Sequence, residues 1–436
     1  MVSLRTEVPA NTRQERLFYL DWLRVLAVLA VFYFHTLRPF DFTEWHVKNT
    51  QQSLVATIFL FFFSQWGMAL FFVLSGAACW FALRSRSGRQ FLRERSLRLL
   101  VPLLVGFVLF SPLQAYLEAL NHGRFAGSFL QFVPWFFAHL QISWHAPWIS
   151  YPYHLWFLEF LWVFSLIALP LFLFLRGAAG SRAIDTLAAW CARPGGIFLF
   201  IIPIALIRVT LAAAFPGEHD WAEFVYYLTF FVYGYLLFSR PSFAEAIRRQ
   251  GWIALGIGIL CFLIEGATYA AGYLETWVSS TSYTAGSLLY QLLASIYTWG
   301  WIVFVLSCGI RWLNFNTQRL PEANEAVLPF YVLQQPAIIV IAFYVVQWHM
   351  AILPKWLIIS TLALALTLAV YELLIRRANA MRWLFGMKPR QRTPREDLNG
   401  REQEGHKAEQ PVSLHTWKED PSVALHDQYD ERSFTG

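Results

Sequence analysis

The stretch Leu17–Leu37, LFYLDWLRVLAVLAVFYFHTL, decides how this chain is read. At 1.5 Å per residue, a helix of this length covers the roughly 30 Å hydrocarbon core of a bilayer. Asp21, Arg24 and His35 interrupt an otherwise apolar run. The run is too long for the apolar region of a cleaved leader and has no small-residue cleavage site, so the expectation is a retained membrane span.

Nine further apolar runs follow, at about 54–83, 99–117, 153–175, 196–216, 222–239, 252–273, 287–310, 327–347 and 354–375. The chain is 57% hydrophobic and only 14% charged, where soluble domains carry about 25% charged residues. The runs do not alternate, which excludes a β-barrel and leaves helices. The second run is long enough to be tilted or broken near Gly67. The predicted fold is an all-α polytopic membrane helix bundle of about ten transmembrane helices, in contact with the lipid bilayer.

The formal charge of +6 sits mostly in alternate short loops, so it is a topology signal and not a nucleic-acid footprint. Arg84, Arg86, Arg89, Arg93 and Arg95 follow the second run; Arg176, Arg182 and Arg193 follow the fourth; Arg240, Arg248 and Arg249 follow the sixth. The intervening loops are poor in basic residues, which predicts both termini in the cytoplasm. The expected organisation is a cytoplasmic segment at 1–16, a membrane domain at 17–387 and a disordered cytoplasmic tail at 388–436. The longest outer loop, about 118–152, is rich in Trp and Phe, and 129–144 reads as an interfacial helix. Its Trp135, His139, Trp144, His145 and Trp148 suit either sugar stacking or an aromatic girdle, the girdle being favoured. Cys79, Cys191, Cys261 and Cys308 form no short-spacing motif, so neither a disulfide framework nor a zinc site is expected.

Ionisable side chains within a span are costly and usually functional. Asp21 and Arg24, three residues apart, can pair on one helix face. Arg24 and His35 are eleven apart, near three whole turns, hence on one face and about 16 Å apart along the axis. The bland alternative makes Asp21 and Arg24 interfacial anchors, with His35 snorkelling outward. Arg93, Arg95 and Arg98 flank the third span; Arg95 and Arg98 share a face, and two forked guanidiniums suit phosphate. Ordinary positive-inside flanking explains them equally well. Ser75 and Gly76, a small pair within bulky aromatics, first suggest helix packing. At the head of the fourth run, belts of interfacial aromatics explain Trp156 but not His154 or Glu159. His35 with His154 would suit proton transfer near neutral pH. No spaced ligand set completes a metal site.

These stretches together resemble the acyltransferase family 3 of bacterial membrane proteins, and within it the branch that succinylates periplasmic glucans. The resemblance is carried by Arg24 and His35 in the first span, Phe71-Phe72-Val73-Leu74-Ser75-Gly76, the Arg95/Arg98 pair, and Leu155-Trp156-Phe157-Leu158. Late in the chain it rests on Leu328–Leu333, Tyr371–Leu374 and Phe385–Lys388. It covers about residues 17–388. One position departs from the pattern: where the family has His after Tyr331-x-Leu, this chain has Gln334, which hydrogen-bonds but does not titrate.

The resemblance implies transfer of an acyl group, acetyl or succinyl, from cytoplasmic acyl-coenzyme A to a hydroxyl of an extracytoplasmic saccharide, in the bacterial inner membrane. It implies His35 as catalytic base, Arg24 with Asp21 steadying the donor's arm, and Arg95, Arg98 and Arg93 on its phosphates. His154, Trp156, Glu159 and Gln334 are the expected acceptor-side residues. No metal and no nucleic acid are expected. The competing readings are a carrier or flippase for a lipid-linked or acidic solute, and a non-catalytic relative, the latter raised by Gln334.

Overall fold

The computed structural model describes residues 17–140, 153–278 and 282–390. The expected N-terminal segment, the tail beyond Arg390, and Trp144, His145 and Trp148 lie outside them. The helical unit closes at Pro389.

Among the described residues the protein is all-α, a polytopic membrane bundle. Helix α1 (Phe18–Leu37) is followed by α2 (Leu54–Ser64), α3 (Gly67–Ser85) and α4 (Gly88–Asn121). A short α5 (Phe129–Ala138) is closed by a capping box between Ser128 and Gln131. It ends before the Trp144 limit expected from sequence. Next come α6 (Trp156–Ile167), α7 (Leu169–Arg176), α8 (Ala178–Cys191), α9 (Ile201–Leu211) and α10 (Trp221–Leu237). The chain closes with α11 (Pro241–Ala270), α12 (Leu274–Val278), α13 (Ala285–Trp312), α14 (Leu320–Val345), α15 (Ile352–Val370) and α16 (Asn379–Leu384).

Every apolar run predicted from sequence falls on helix. Seven of these segments are long and apolar enough to cross a membrane; α6 and α7, bent by 47° at the break between them, make an eighth if counted as one span. The remaining two runs correspond to the shorter segments Gly196–Leu211 and α10. The second run is indeed interrupted, between Ser64 and Gly67. Thr298 on α13 caps the break by donating to the Gln65 carbonyl at 2.8 Å. Helix α4 continues through Pro102 and Pro112, as membrane helices can where neighbours satisfy the freed carbonyls.

The Ser75–Gly76 pair packs as its size suggests. A Cβ on Gly76 would lie 1.9 Å from the Phe231 carbonyl oxygen, and one on Gly234 would lie 1.9 Å from that of Val73. Helices α3 and α10 therefore touch backbone to backbone through reciprocal glycines. The α1–α2 connection is equally rigid. Arg38 and Lys48 both bond Asp41, and Lys355 of α15 donates to Asn49 at 2.7 Å. Burial pushes the Lys48 ammonium below its ordinary range, while Asp41 pulls it back up.

Candidate active site

One end of the bundle opens into a cavity of about 1220 Å³, walled by the start of α1, the end of α3, the first turns of α4 and α14, and residues 383–389. The last wall depends on Gly386, at φ +71°, where a Cβ would lie 2.6 Å from the Arg98 carbonyl oxygen. Asp21, Arg24, Arg95 and Arg98 all line this space, with Arg86 beside them. The structure thus gathers four of the sequence-predicted residues in one place. Arg93 is exposed and does not line it, since two residues along a helix turn the side chain to the other face.

The charge balance in the cavity is uneven. Each carboxylate on its wall pairs with a cation, Arg376 being shared between Glu322 and Glu372. Asp21 pairs with Arg24 at 3.0 Å, Glu94 with Arg86 at 2.9 Å, Glu322 with Arg376 at 3.0 Å and Glu325 with Arg382 at 2.5 Å. Arg95 and Arg98 make no ion pair among the described residues. Arg95 donates Nε–H to Ser165 at 3.2 Å, and its Nη2 is buried without a hydrogen-bond partner. Unneutralised guanidinium forks in a concave site suit a polyanion. Ser165 escaped the sequence reading because only tertiary folding brings α6 against α4.

His35 sits at the far end of α1, about 16 Å along the axis from Arg24. Its Nδ1 is 3.1 Å from the amide nitrogen of Gln334 on α14, the position where the sequence departs from the resembled pattern. Gln334 is fully buried and its Oε1 has no hydrogen-bond partner. Turning the amide over places that oxygen on His35 Nδ1–H and leaves the lone pair on Nε2. His154 is buried and docks on the same helix, its Nε2 3.2 Å from the Val332 carbonyl oxygen, while the Tyr331 hydroxyl donates to the His154 carbonyl oxygen. No direct His35–His154 hydrogen bond forms; both are held by α14. Trp156 stacks on His219 at 4.1 Å, a partner that sequence spacing does not indicate. Glu159 is buried in α6.

A second group at this end was invisible in the sequence. His46, on the α1–α2 connection, donates Nδ1–H to Glu118 at the end of α4, 2.7 Å away. Gln335, next to Gln334, donates to Gln114 at 3.2 Å, and its amide nitrogen lies 3.4 Å from His46 Nε2. The separation of 72 positions between His46 and Glu118 carries no spacing signal.

Helix α1 thus carries a cation-rich cavity near one end and a histidine packed against α14 near the other. The family model described as an acyltransferase domain matches residues 17–372, and the chain belongs to that family of membrane acyltransferases. Among its relatives are two proteins called Glucans biosynthesis protein C. That of Shigella dysenteriae serotype 1 (strain Sd197) is 25% identical over 395 residues, which is 86% of this chain and 95% of the relative. That of Escherichia coli O6:K15:H31 (strain 536 / UPEC) is 25% identical over 392 residues, with the same coverage of both chains. No solved structure matches the chain.

Proposed function

We propose that this protein moves an acyl group, acetyl or succinyl, from cytoplasmic acyl-coenzyme A to a hydroxyl of an extracytoplasmic saccharide, with a glucan as the leading acceptor. The observation that carries the donor half is the cavity whose carboxylates are all paired while Arg95 and Arg98 are not. The donor's phosphates bind those two guanidiniums, and its pantetheine arm runs past Arg24 toward His35. The excess of basic residues in alternate loops supports a cytoplasmic side for the cavity and both termini, in a bacterial inner membrane. The relatives' name supports glucan as the acceptor class.

In this reading His35, its Nδ1–H held by the Gln334 oxygen, takes the acceptor's hydroxyl proton on Nε2. The hydroxyl oxygen bonds to the thioester carbonyl carbon and the carbon–sulfur bond breaks. The thiolate of coenzyme A recovers the proton from His35, so the reaction is neutral overall. The test is mass spectrometry of periplasmic and cell-surface glycans from cells with and without the protein. A glycan heavier by one acyl group only when the protein is present is expected. Identical glycans, together with no release of free coenzyme A by the purified protein, would overturn the reading.

A further inference from the structure

We infer that Trp45, His46 and Glu118 form the subsite that binds the acceptor, and that its ligand is a neutral, polyhydroxylated sugar. The inference rests on the acyl-transfer reading for its place in the reaction, but on separate residues.

Four observations converge. First, the subsite adjoins His35. The Trp45 ring lies parallel to that of His35, 13° between planes and 6.5 Å between centres. The consecutive residues Gln334 and Gln335 reach His35 and His46 respectively. Second, the group combines ring faces with a carboxylate. The His46 ring stands between Trp45, 5.2 Å away, and Tyr153, 4.7 Å away. Ring faces pack the C–H surfaces of a sugar, and an ionised carboxylate accepts from its hydroxyls. Third, the carboxylate is only half committed. Glu118 Oε2 takes His46 Nδ1–H at 2.7 Å and the Tyr153 hydroxyl at 3.4 Å, whereas Oε1 has, among the described residues, only Arg124 at 3.9 Å. The Glu118 and His46 side chains remain 26% and 22% exposed, so a ligand reaches both.

Fourth, the platform is braced. His122 donates to the Trp45 carbonyl at 3.1 Å, and the Lys48 backbone N–H donates to Asn121 at 3.1 Å. These bonds already tie the α1–α2 connection to α4, so that tie does not depend on the Glu118 charge. A subsite must be held within about half an ångström to present one hydroxyl to His35. The carboxylate also selects by charge: an acidic sugar would meet Glu118 unfavourably, a neutral one would not.

The test uses the full-length protein in lipid nanodiscs and a linear glucose oligosaccharide as probe. Binding is measured by calorimetry without donor, and transfer by release of free coenzyme A. Glu118→Gln keeps an acceptor for His46 and removes the charge; Trp45→Ala removes the platform. Each is expected to weaken oligosaccharide binding, and to raise its KM, by about tenfold or more, while the KM for acyl-coenzyme A holds. The binding stoichiometry reports the folded fraction independently of affinity. If the wild type binds and transfers but both variants match its saccharide affinity, the subsite is wrong and the acyl-transfer reading stands. Loss of acyl-coenzyme A affinity in step with saccharide affinity would reduce the group to a structural brace and also overturn the inference. A wild type that binds no oligosaccharide overturns it as well. A wild type that binds through Glu118 and Trp45 but releases no coenzyme A supports the subsite and sinks the transferase reading instead.

Discussion

Removing the Arg98 guanidinium isolates the donor half of the proposal from the rest of the machinery. Arg98 lines the cavity, is exposed to it, and makes no ion pair or side-chain hydrogen bond among the described residues. Arg98→Ala therefore breaks no described ion pair, unlike Arg24→Ala, which would break the pair with Asp21. Arg95→Ala would also break the bond to Ser165 and so mixes folding with binding. A hydrogen bond to a charged group contributes about 1.5–3 kcal/mol, and 1.4 kcal/mol is tenfold in affinity. Arg98→Ala should accordingly weaken acyl-coenzyme A binding by roughly ten- to a hundredfold. Arg98→Lys restores the charge without the fork and should recover only part of that. Titration calorimetry of the purified protein with acyl-coenzyme A, at two salt concentrations, measures both. Phosphate contacts also predict that the wild-type affinity falls with salt more steeply than that of Arg98→Ala. Equal donor affinities for wild type and Arg98→Ala would refute the phosphate role and return the pair to membrane-topology anchors.

Three further outcomes follow. His35→Gln, which keeps polarity but loses the titratable nitrogen, should lower transfer by about a hundred- to ten-thousandfold with donor binding retained; near-normal turnover would end the general-base role and favour a carrier. Gly76→Val forces a side chain into the Phe231 carbonyl and should destabilise the fold by about 3 kcal/mol or more, read as a lowered thermal midpoint in detergent; an unchanged midpoint would show that α3 and α10 can part freely. A reporter fused after Gly436 should be active only in the cytoplasm, and periplasmic activity would reverse the assignment of the cavity to the donor side.

The membrane character of this chain and the placement of its helices were legible without coordinates, because lipid leaves the backbone few choices. A peptide group unsatisfied in hydrocarbon costs several kcal/mol, so each apolar run must be helical wherever it lies. The same local reasoning found the break before Gly67 and the small-residue contact at Gly76. The Arg24–Asp21 pair and the common face of Arg24 and His35 also followed from helical periodicity, since all three residues belong to α1. Arg95 and Arg98 were identifiable as a pair, but two readings remained open for them.

Only the tertiary structure decided which charges are left over beside them, and that surplus is what supports the phosphate-binding proposal. Glu322, Glu325, Arg376 and Arg382 are more than two hundred residues from Arg98 in sequence, and their pairing is what leaves Arg95 and Arg98 without carboxylates. Helical spacing likewise says nothing about His46 and Glu118, which meet because the α1–α2 connection folds down on the end of α4. Gln334 looked like a lost histidine in the sequence; in the bundle it is the side chain that holds His35. Periodicity and hydropathy act within one helix, so they determine spans and faces. A site in a bundle is made of neighbours on different helices, and packing alone selects them.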